Sequence, residues 1–160
     1  MELIIHHNIA DLYQSLDLPY GEETDFTIHF KPDIIRQVPF KSPLYRADYF
    51  SINFVKEGSG YYTLDEHRFP FSDGTVYFTN PGHIKSFEIE ELKDAYMITL
   101  TENFLRENVH PDIFDEFPFL LAEIVPPKVL PEKKFREFES LYKQIFDESG
   151  KSSVYKSKIL

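Results

Sequence analysis

Between Tyr45 and Phe87 the chain is cut at nearly regular intervals by Gly58, Gly60, Asp65, Gly74 and the triplet Asn80-Pro81-Gly82. Glycine reaches backbone conformations that other residues avoid, proline fixes its own φ, and Asp and Asn fold their side chains back onto the backbone, so each break has turn chemistry. The runs between them, Tyr45–Val55, Tyr61–Leu64, Arg68–Phe71, Thr75–Thr79 and Ile84–Ile89, are strand-length and rich in β-branched and aromatic residues. A helix of ordinary length has no room in this spacing. The pattern predicts a small β-barrel with short connections.

The 160 residues are 42% hydrophobic and 16% aromatic, enough for one domain with a real core. Twenty-seven acidic residues against 17 basic ones leave a net charge of −10, so the chain repels a phosphate backbone, and direct nucleic-acid binding is not expected of it. The absence of cysteine removes disulfides and thiolate metal sites. Met1 to His6 is too short and too charged for a secretory signal, and no apolar run approaches the roughly 20 residues of a membrane-spanning helix, so a cytoplasmic protein is expected.

Along the chain, residues 1–25 read as an arm, with apolar Leu3, Ile4 and Ile5 in need of a surface and a helical piece near Ile9 to Leu16. Residues 26–100 form the barrel, entered by the alternating strand Phe26–Phe30 and closed by the apolar strand Ala95–Leu100. Residues 101–160 supply helices. Thr101 caps the first, which runs to about Asn108 before His110-Pro111. Pro131 opens a second, whose Phe135, Phe138, Leu141, Tyr142, Ile145 and Phe146 recur at three- and four-residue intervals and form a core-packing stripe ending near Ser149-Gly150. A third begins at Ser152-Ser153, and its stripe of Val154, Tyr155, Ile159 and Leu160 stops mid-pattern, as in a piece of something longer.

The segments Tyr45-Arg46-Ala47-Asp48-Tyr49-Phe50, Val55-Lys56-Glu57-Gly58-Ser59-Gly60, Asp65, Gly74-Thr75-Val76-Tyr77-Phe78, Asn80-Pro81-Gly82 and Ile98 to Leu105 together resemble the sensor half of AraC-type transcriptional regulators. The resemblance implies a mainly β fold: a cupin-like double-stranded β-helix, or jelly-roll barrel, followed by C-terminal α-helices. It further implies a small-molecule effector inside the barrel, a homodimer formed through the closing helices with Val154, Tyr155 and Ile159 at the seam, and DNA contact only through a C-terminal module absent from these 160 residues.

A metal-binding cupin places two histidines and a glutamate in its first block and another histidine after the Pro-Gly turn. Aligned on Gly58 and on Pro81-Gly82, those positions fall on Tyr45, Ala47, Ser51 and Lys85, which are not usual ligands, and an ammonium repels a divalent cation. The six histidines form no His-x-His or His-x-x-x-His pair. Neither metal, cofactor nor catalytic residues are expected.

If the resemblance holds, Tyr45, Ala47, Tyr49, Ser51, Asn53, Lys85 and Phe87 face the lumen, and such walls suit a polar or anionic effector of the sugar or carboxylate class. Phe50, Ile52 and Phe54 then lie beneath the closing helices. Pattern alone gives the opposite parity, with Phe50, Ile52 and Phe54 in the core and Tyr49, Ser51 and Asn53 in water. Asp65 is read as shaping a hairpin turn with Glu66, and His83 as an exposed turn residue. Two other functions fit the composition: a stand-alone, metal-independent cupin enzyme such as a sugar epimerase or lyase, which needs an acid and a base converging in the lumen, and an interaction module whose lumen is filled by its own aromatics.

Overall fold

The computed structural model describes residues 3–15, 25–30, 40–118, 120 and 124–149. Its elements are β1 (Ile4–His6), α1 (Ile9–Ser15), β2 (Phe26–Phe30), β3 (Tyr45–Ala47), β4 (Phe50–Leu64), β5 (His67–Phe71), β6 (Thr75–Thr79), β7 (Lys85–Leu100), α2 (Glu102–Asn108), α3 (Ile113–Glu116), β8 (Lys128–Val129) and α4 (Glu132–Ser149). The expected dimer residues Val154, Tyr155 and Ile159, and the helix that would carry them, lie outside the described residues. So do the end of the arm and residues 31–39.

Two long antiparallel strands organise the fold. β4 and β7 pair from Phe50↔Leu100 to Leu64↔Lys85, with register shifts between Val55 and Gly60. Each shift leaves a residue unpaired and bends the strand. Beyond the bend the flanking strands change: β6 pairs with the first part of β4 and β2 with the last part of β7, whereas β5 pairs with the end of β4 and β3 with the start of β7. The two halves roll toward each other, so that Tyr62 past the bend stacks on Tyr77 of β6 with ring centroids 4.0 Å apart. The result is a cupin-like roll whose sheet is not closed, running β1-β3-β7-β4-β6-β8 among the described strands.

The strand boundaries correct the sequence reading in three places. Gly58-Ser59-Gly60 is no turn but the bend inside one 15-residue strand. Here the two long strands come so close that a Cβ on Gly58 would lie 2.8 Å from the Glu91 carbonyl oxygen, and one on Gly60 would be driven into the Glu88 carbonyl and the Phe71 ring. The runs Ile84–Ile89 and Ala95–Leu100 are likewise one strand, continuous through the charged residues Glu90 to Asp94. Conversely, Tyr45–Val55 is interrupted at Asp48 and Tyr49, which separate β3 from β4.

The segment read as an arm contributes β1, paired in parallel with β3. Its anchor is His6, which is buried, while Leu3, Ile4 and Ile5 are exposed, contrary to the expectation that they cover the barrel. From α1, Ile9 packs with Ala47 and Tyr49.

The helices close the other half. The Thr101 hydroxyl accepts from the Phe104 amide at 3.1 Å, capping α2 as its sequence predicts. Phe104, Ile113, Phe114 and Tyr142 then cover Phe50, Phe54, Ile98 and Leu100. Phe54 is wholly buried, stacked between β4 and α4 with Phe135 at 4.6 Å and Tyr142 at 5.1 Å. No helix among the described residues is long and apolar enough to cross a membrane.

Candidate functional site

Because the outer face of β2, β6, the first part of β4 and the last part of β7 is taken by helices, the alternate residues there point into the roll. They enclose a cavity of about 150 Å³. The six residues singled out in the sequence, Tyr45, Tyr49, Ser51, Asn53, Lys85 and Phe87, all line it. Ala47 does not; it is fully buried against Ile9 and Tyr49. Phe50 and Ile52 point away, into the helix-covered core.

One wall carries a row of hydroxyls on β4, β6 and β7, backed by Thr27 of β2 behind the lining. Ser51 stands opposite Thr79 on β6 and Thr99 on β7, and Thr99 stands opposite Thr27 on β2. The hydroxyls of Thr27 and Thr99 are hydrogen-bonded to each other. The Asn53 amide donates to the Ser51 hydroxyl at 2.7 Å. At the end of the row, the Lys85 ammonium donates to the Thr79 hydroxyl at 3.2 Å and lies 5.8 Å from the centroid of the Tyr49 ring. Thr79, Thr99 and Thr27 escaped the sequence reading, although Thr75-Val76-Tyr77-Phe78-Thr79 carries the same period-two alternation as β4.

The rest of the lining is mainly apolar, with Tyr77 contributed by β6 of the hydroxyl-bearing half. Leu64, Phe71, Phe87, Ile89 and Leu92 form it, with the stacked rings of Tyr62 and Tyr77. The Tyr62 hydroxyl is buried without a hydrogen-bond partner among the described residues.

Lys85 is the one charged side chain lining the cavity among the described residues. It is 3% exposed, and burial lowers its pKa to about 8. At neutral pH it is still mainly an ammonium. Burial holds the nearby phenols protonated, that of Tyr45 up to about 12 and those of Tyr49, Tyr62 and Tyr77 well above the usual tyrosine range.

The N-terminal segment packs against the tyrosines at the Lys85 end of the cavity. The His6 Nδ1 and the Tyr49 hydroxyl are hydrogen-bonded at 2.9 Å, and the His6 ring stacks on Tyr45 at 5.3 Å. Burial lowers the His6 pKa; Asp11 opposes that shift and Lys85 adds to it. Leu12 of α1 reaches the cavity itself.

The start of β7, and with it Lys85, is fixed from outside. Asp65, at φ 54° in the β4–β5 turn, accepts from the Ile84 amide at 2.9 Å and pairs with His83 Nδ1 at 2.6 Å. Asp65 thus shapes the turn as expected, whereas His83, expected to be exposed, is half-buried with its side chain 15% exposed. No group of three His, Asp or Glu side chains among the described residues is placed to hold a metal ion.

Residues 40–152 match the model of the AraC-like ligand binding domain. The chain belongs to that family. Among solved structures, ToxT from Vibrio cholerae is similar at 7% identity and a TM-score of 0.46, covering 74% of this chain and 48% of its own. ToxT bound to (E)-4-(8-methylnaphthalen-1-yl)but-3-enoic acid is similar at 8% identity and a TM-score of 0.46, with 84% and 53% covered. A cupin 2 conserved barrel domain protein from Rhodopseudomonas palustris follows at 13% identity and a TM-score of 0.33, with 62% and 56% covered. The chain thus spans about half the length of these structures. No curated protein matches the sequence.

Proposed function

We propose that this AraC-like ligand binding domain senses a small polar or anionic effector in the cavity, as the regulatory half of an AraC-type transcriptional regulator, and that it catalyses no reaction. The observation that carries this reading is a cavity lined by one buried ammonium that has no counter-ion among the described residues. A buried charge is costly unless paired, so an unpaired one facing a cavity favours a ligand that supplies the partner. Tyr45, Tyr49, Ser51, Asn53, Lys85 and Phe87 are the proposed contacts.

The void weighs against an interaction module filled by its own aromatics. The enzyme alternative needs a base, and the lining offers none at neutral pH: no carboxylate or histidine reaches the cavity among the described residues, the phenols are held protonated, and Lys85 is mainly charged. Signalling follows from what the walls touch on their far side. Tyr49 holds β1 through His6, and Asn53 and Val55 flank Phe54, the anchor of α4. An effector that bears differently on these contacts in two arrangements would shift the packing of the N-terminal segment or the closing helices. Through them it would reposition a partner subunit, docked at Val154, Tyr155 and Ile159, and DNA-binding modules beyond this chain.

Thermal melting of the chain against a panel of sugars, sugar acids, small carboxylates and neutral analogues tests the proposal. One chemical class raises Tm by several degrees, and Asn53→Trp, which fills the cavity, abolishes the rise. Failure of every class, or a rise that survives the filled cavity, sinks it.

A further inference from the structure

The cavity contains more polar residues than it offers to a ligand. Part of its polar lining is already engaged: Asn53 with Ser51 inside it, and Thr99 and Tyr49 with Thr27 and His6 behind it. A sugar exposes several hydroxyls in different directions, each needing a partner when it leaves water, because an unmade hydrogen bond in a dry site costs about 1–3 kcal/mol. The hydroxyl row runs across one wall, and its hydrogen bonds from Asn53 to Ser51 and from Lys85 to Thr79 are made within that wall. Lys85 differs. Its ammonium carries three donors, one of which goes to Thr79, so charge and hydrogen-bonding capacity remain at one end of the cavity.

Beyond that end the lining is mainly apolar and aromatic. Tyr62 and Tyr77 stack on each other with an interplanar angle of 12°, Tyr77 is stacked on Phe71 at 6.1 Å, and Ile89 and Leu92 complete the surface. Flat aromatic surfaces favour stacked or edge-on rings over scattered hydroxyls. A cavity of about 150 Å³ lined by apolar side chains is large enough for benzene. The anion-holding end and the apolar end belong to one continuous space, which is the complement of an amphipathic molecule.

Resting on the sensing function proposed above, we infer that the ligand of this cavity is a small monocarboxylate with a flat apolar body, of benzoate or phenylacetate size, whose carboxylate pairs with Lys85 and whose body lies against Tyr62, Tyr77, Phe71 and Ile89. Sugars and sugar acids are disfavoured, because they expose more hydroxyls than the mainly apolar lining can satisfy. A dianion is disfavoured because one ammonium neutralises one charge.

Isothermal titration of the full chain tests this with benzoate, phenylacetate, cinnamate and hexanoate, each beside its neutral primary amide, and with arabinose and glucuronate. At least one monocarboxylate binds, and its amide binds about ten- to a hundredfold more weakly, the range of one charge-assisted hydrogen bond. Lys85→Met removes the same preference while leaving the cooperative melting transition intact. Acid–amide pairs on the unaltered chain keep the test independent of any variant. Equal binding of acid and amide overturns the Lys85 contact. Binding of arabinose or glucuronate without any of the four acids overturns the ligand class but leaves the sensing function standing. Silence from every compound here and in the broad melting panel removes both.

Discussion

The bend at Val55–Gly60 divides the sheet into two halves that solve the same problem in opposite ways. In the half built from β2, β6, the start of β4 and the end of β7, the outer face is apolar and lies beneath α2, α3 and α4, while the inner face carries Ser51, Asn53, Thr79 and Thr99. In the half built from β3, β5, the end of β4 and the start of β7, the outer face is wet. There Arg68 lies over the Tyr61 ring at 3.7 Å and pairs with Glu88 at 3.0 Å, while the inner face carries Tyr62, Leu64, Phe71, Phe87 and Ile89. Each half alternates at period two, yet the polar set is inside in one and outside in the other. A hydrophobic layer on one face leaves the other free to be polar, even when that other face is not in water. The helices therefore do more than stabilise: by taking the apolar face of one half they make a polar cavity wall possible.

The largest expected effect tests whether the helix-covered half really carries the apolar layer. Phe54→Ala should destabilise the domain by about 3–5 kcal/mol, the range for an emptied aromatic core position. Tyr61→Ala, on the wet face across the bend, should cost less than about 1 kcal/mol. Urea denaturation of both variants reads the difference directly. Equal losses would mean that the two outer faces are energetically alike, and the comparison would fail.

How much of this was legible depended on whether local chemistry or distant packing decided the matter. The capped α2 and the extent of α4 were readable because their signals, Thr101, Pro131 and the Phe135–Phe146 spacing, act within a few residues, but of the expected core stripe only Phe135, Tyr142 and Ile145 pack on the sheet while Phe138, Leu141 and Phe146 are exposed. The long strands were not, since Gly58-Ser59-Gly60 and the charged Glu90–Asp94 look like turns unless the close crossing of β4 and β7 is known. The parity of β4 lay between these cases. Its alternation permits either face inward, and what decides is a helix more than 70 residues away needing a surface for its own stripe. The same distance hid Thr27, Thr79 and Thr99, whose neighbourhood with Ser51 exists only through strand register.

Lys85 breaks the pattern of its half, a cation on an otherwise apolar inner face, and its removal gives the next largest effect. A lysine whose folded pKa lies below its unfolded value destabilises the fold while both states are protonated. The penalty is relieved as pH rises from the folded value of about 8 toward the unfolded value of 10.5. Stability should therefore rise across that window by up to about 3 kcal/mol, until the buried phenols act in the opposite sense. Tyr45, held at about 12, stays protonated while the unfolded phenol ionises from about pH 10, so its contribution falls above that point. Lys85→Met should be more stable than the parent at pH 7 by up to about 3 kcal/mol and lose the rise between pH 8 and 10. A parent whose stability is flat through that interval would show that Lys85 is already paired.

At the N-terminal segment beside the cavity the sign reverses. His6 is held below its ordinary pKa, first by burial, so the unfolded chain takes up a proton near pH 6.5 before the folded one does, and stability is lost as pH falls through that value. His6→Gln keeps a hydrogen-bonding group beside Tyr49 but does not titrate, and should flatten the dependence between pH 7 and 5.5. Amide exchange localised to β1 and α1 would read the loosening, and exchange that stays constant over this range would detach the N-terminal segment from the pH response.

The smallest effect tests whether the bend itself reports to α4. Lys56, at the first register shift, reaches across to Glu139 of α4 at 3.0 Å, and Glu139 also meets Lys143 at 3.3 Å. Burial would raise the Glu139 carboxyl, but hydrogen bonds from the two lysines outweigh it and hold the pKa below the usual range, so the contribution is present at neutral pH and lost as acid protonates the group. Partly solvated pairs of this kind are worth about 0.5–1 kcal/mol. A double-mutant cycle with Lys56→Met and Glu139→Gln should return a coupling of that size at low salt and less at high salt, where screening weakens exposed charges first. Repeating the cycle with a bound ligand makes it diagnostic. If filling the cavity moves β4 at the bend, the coupling changes with occupancy, and the wet and covered halves are linked through this one ion pair. An unchanged coupling would leave the aromatic stack on Phe54 as the route by which the cavity reaches the helix.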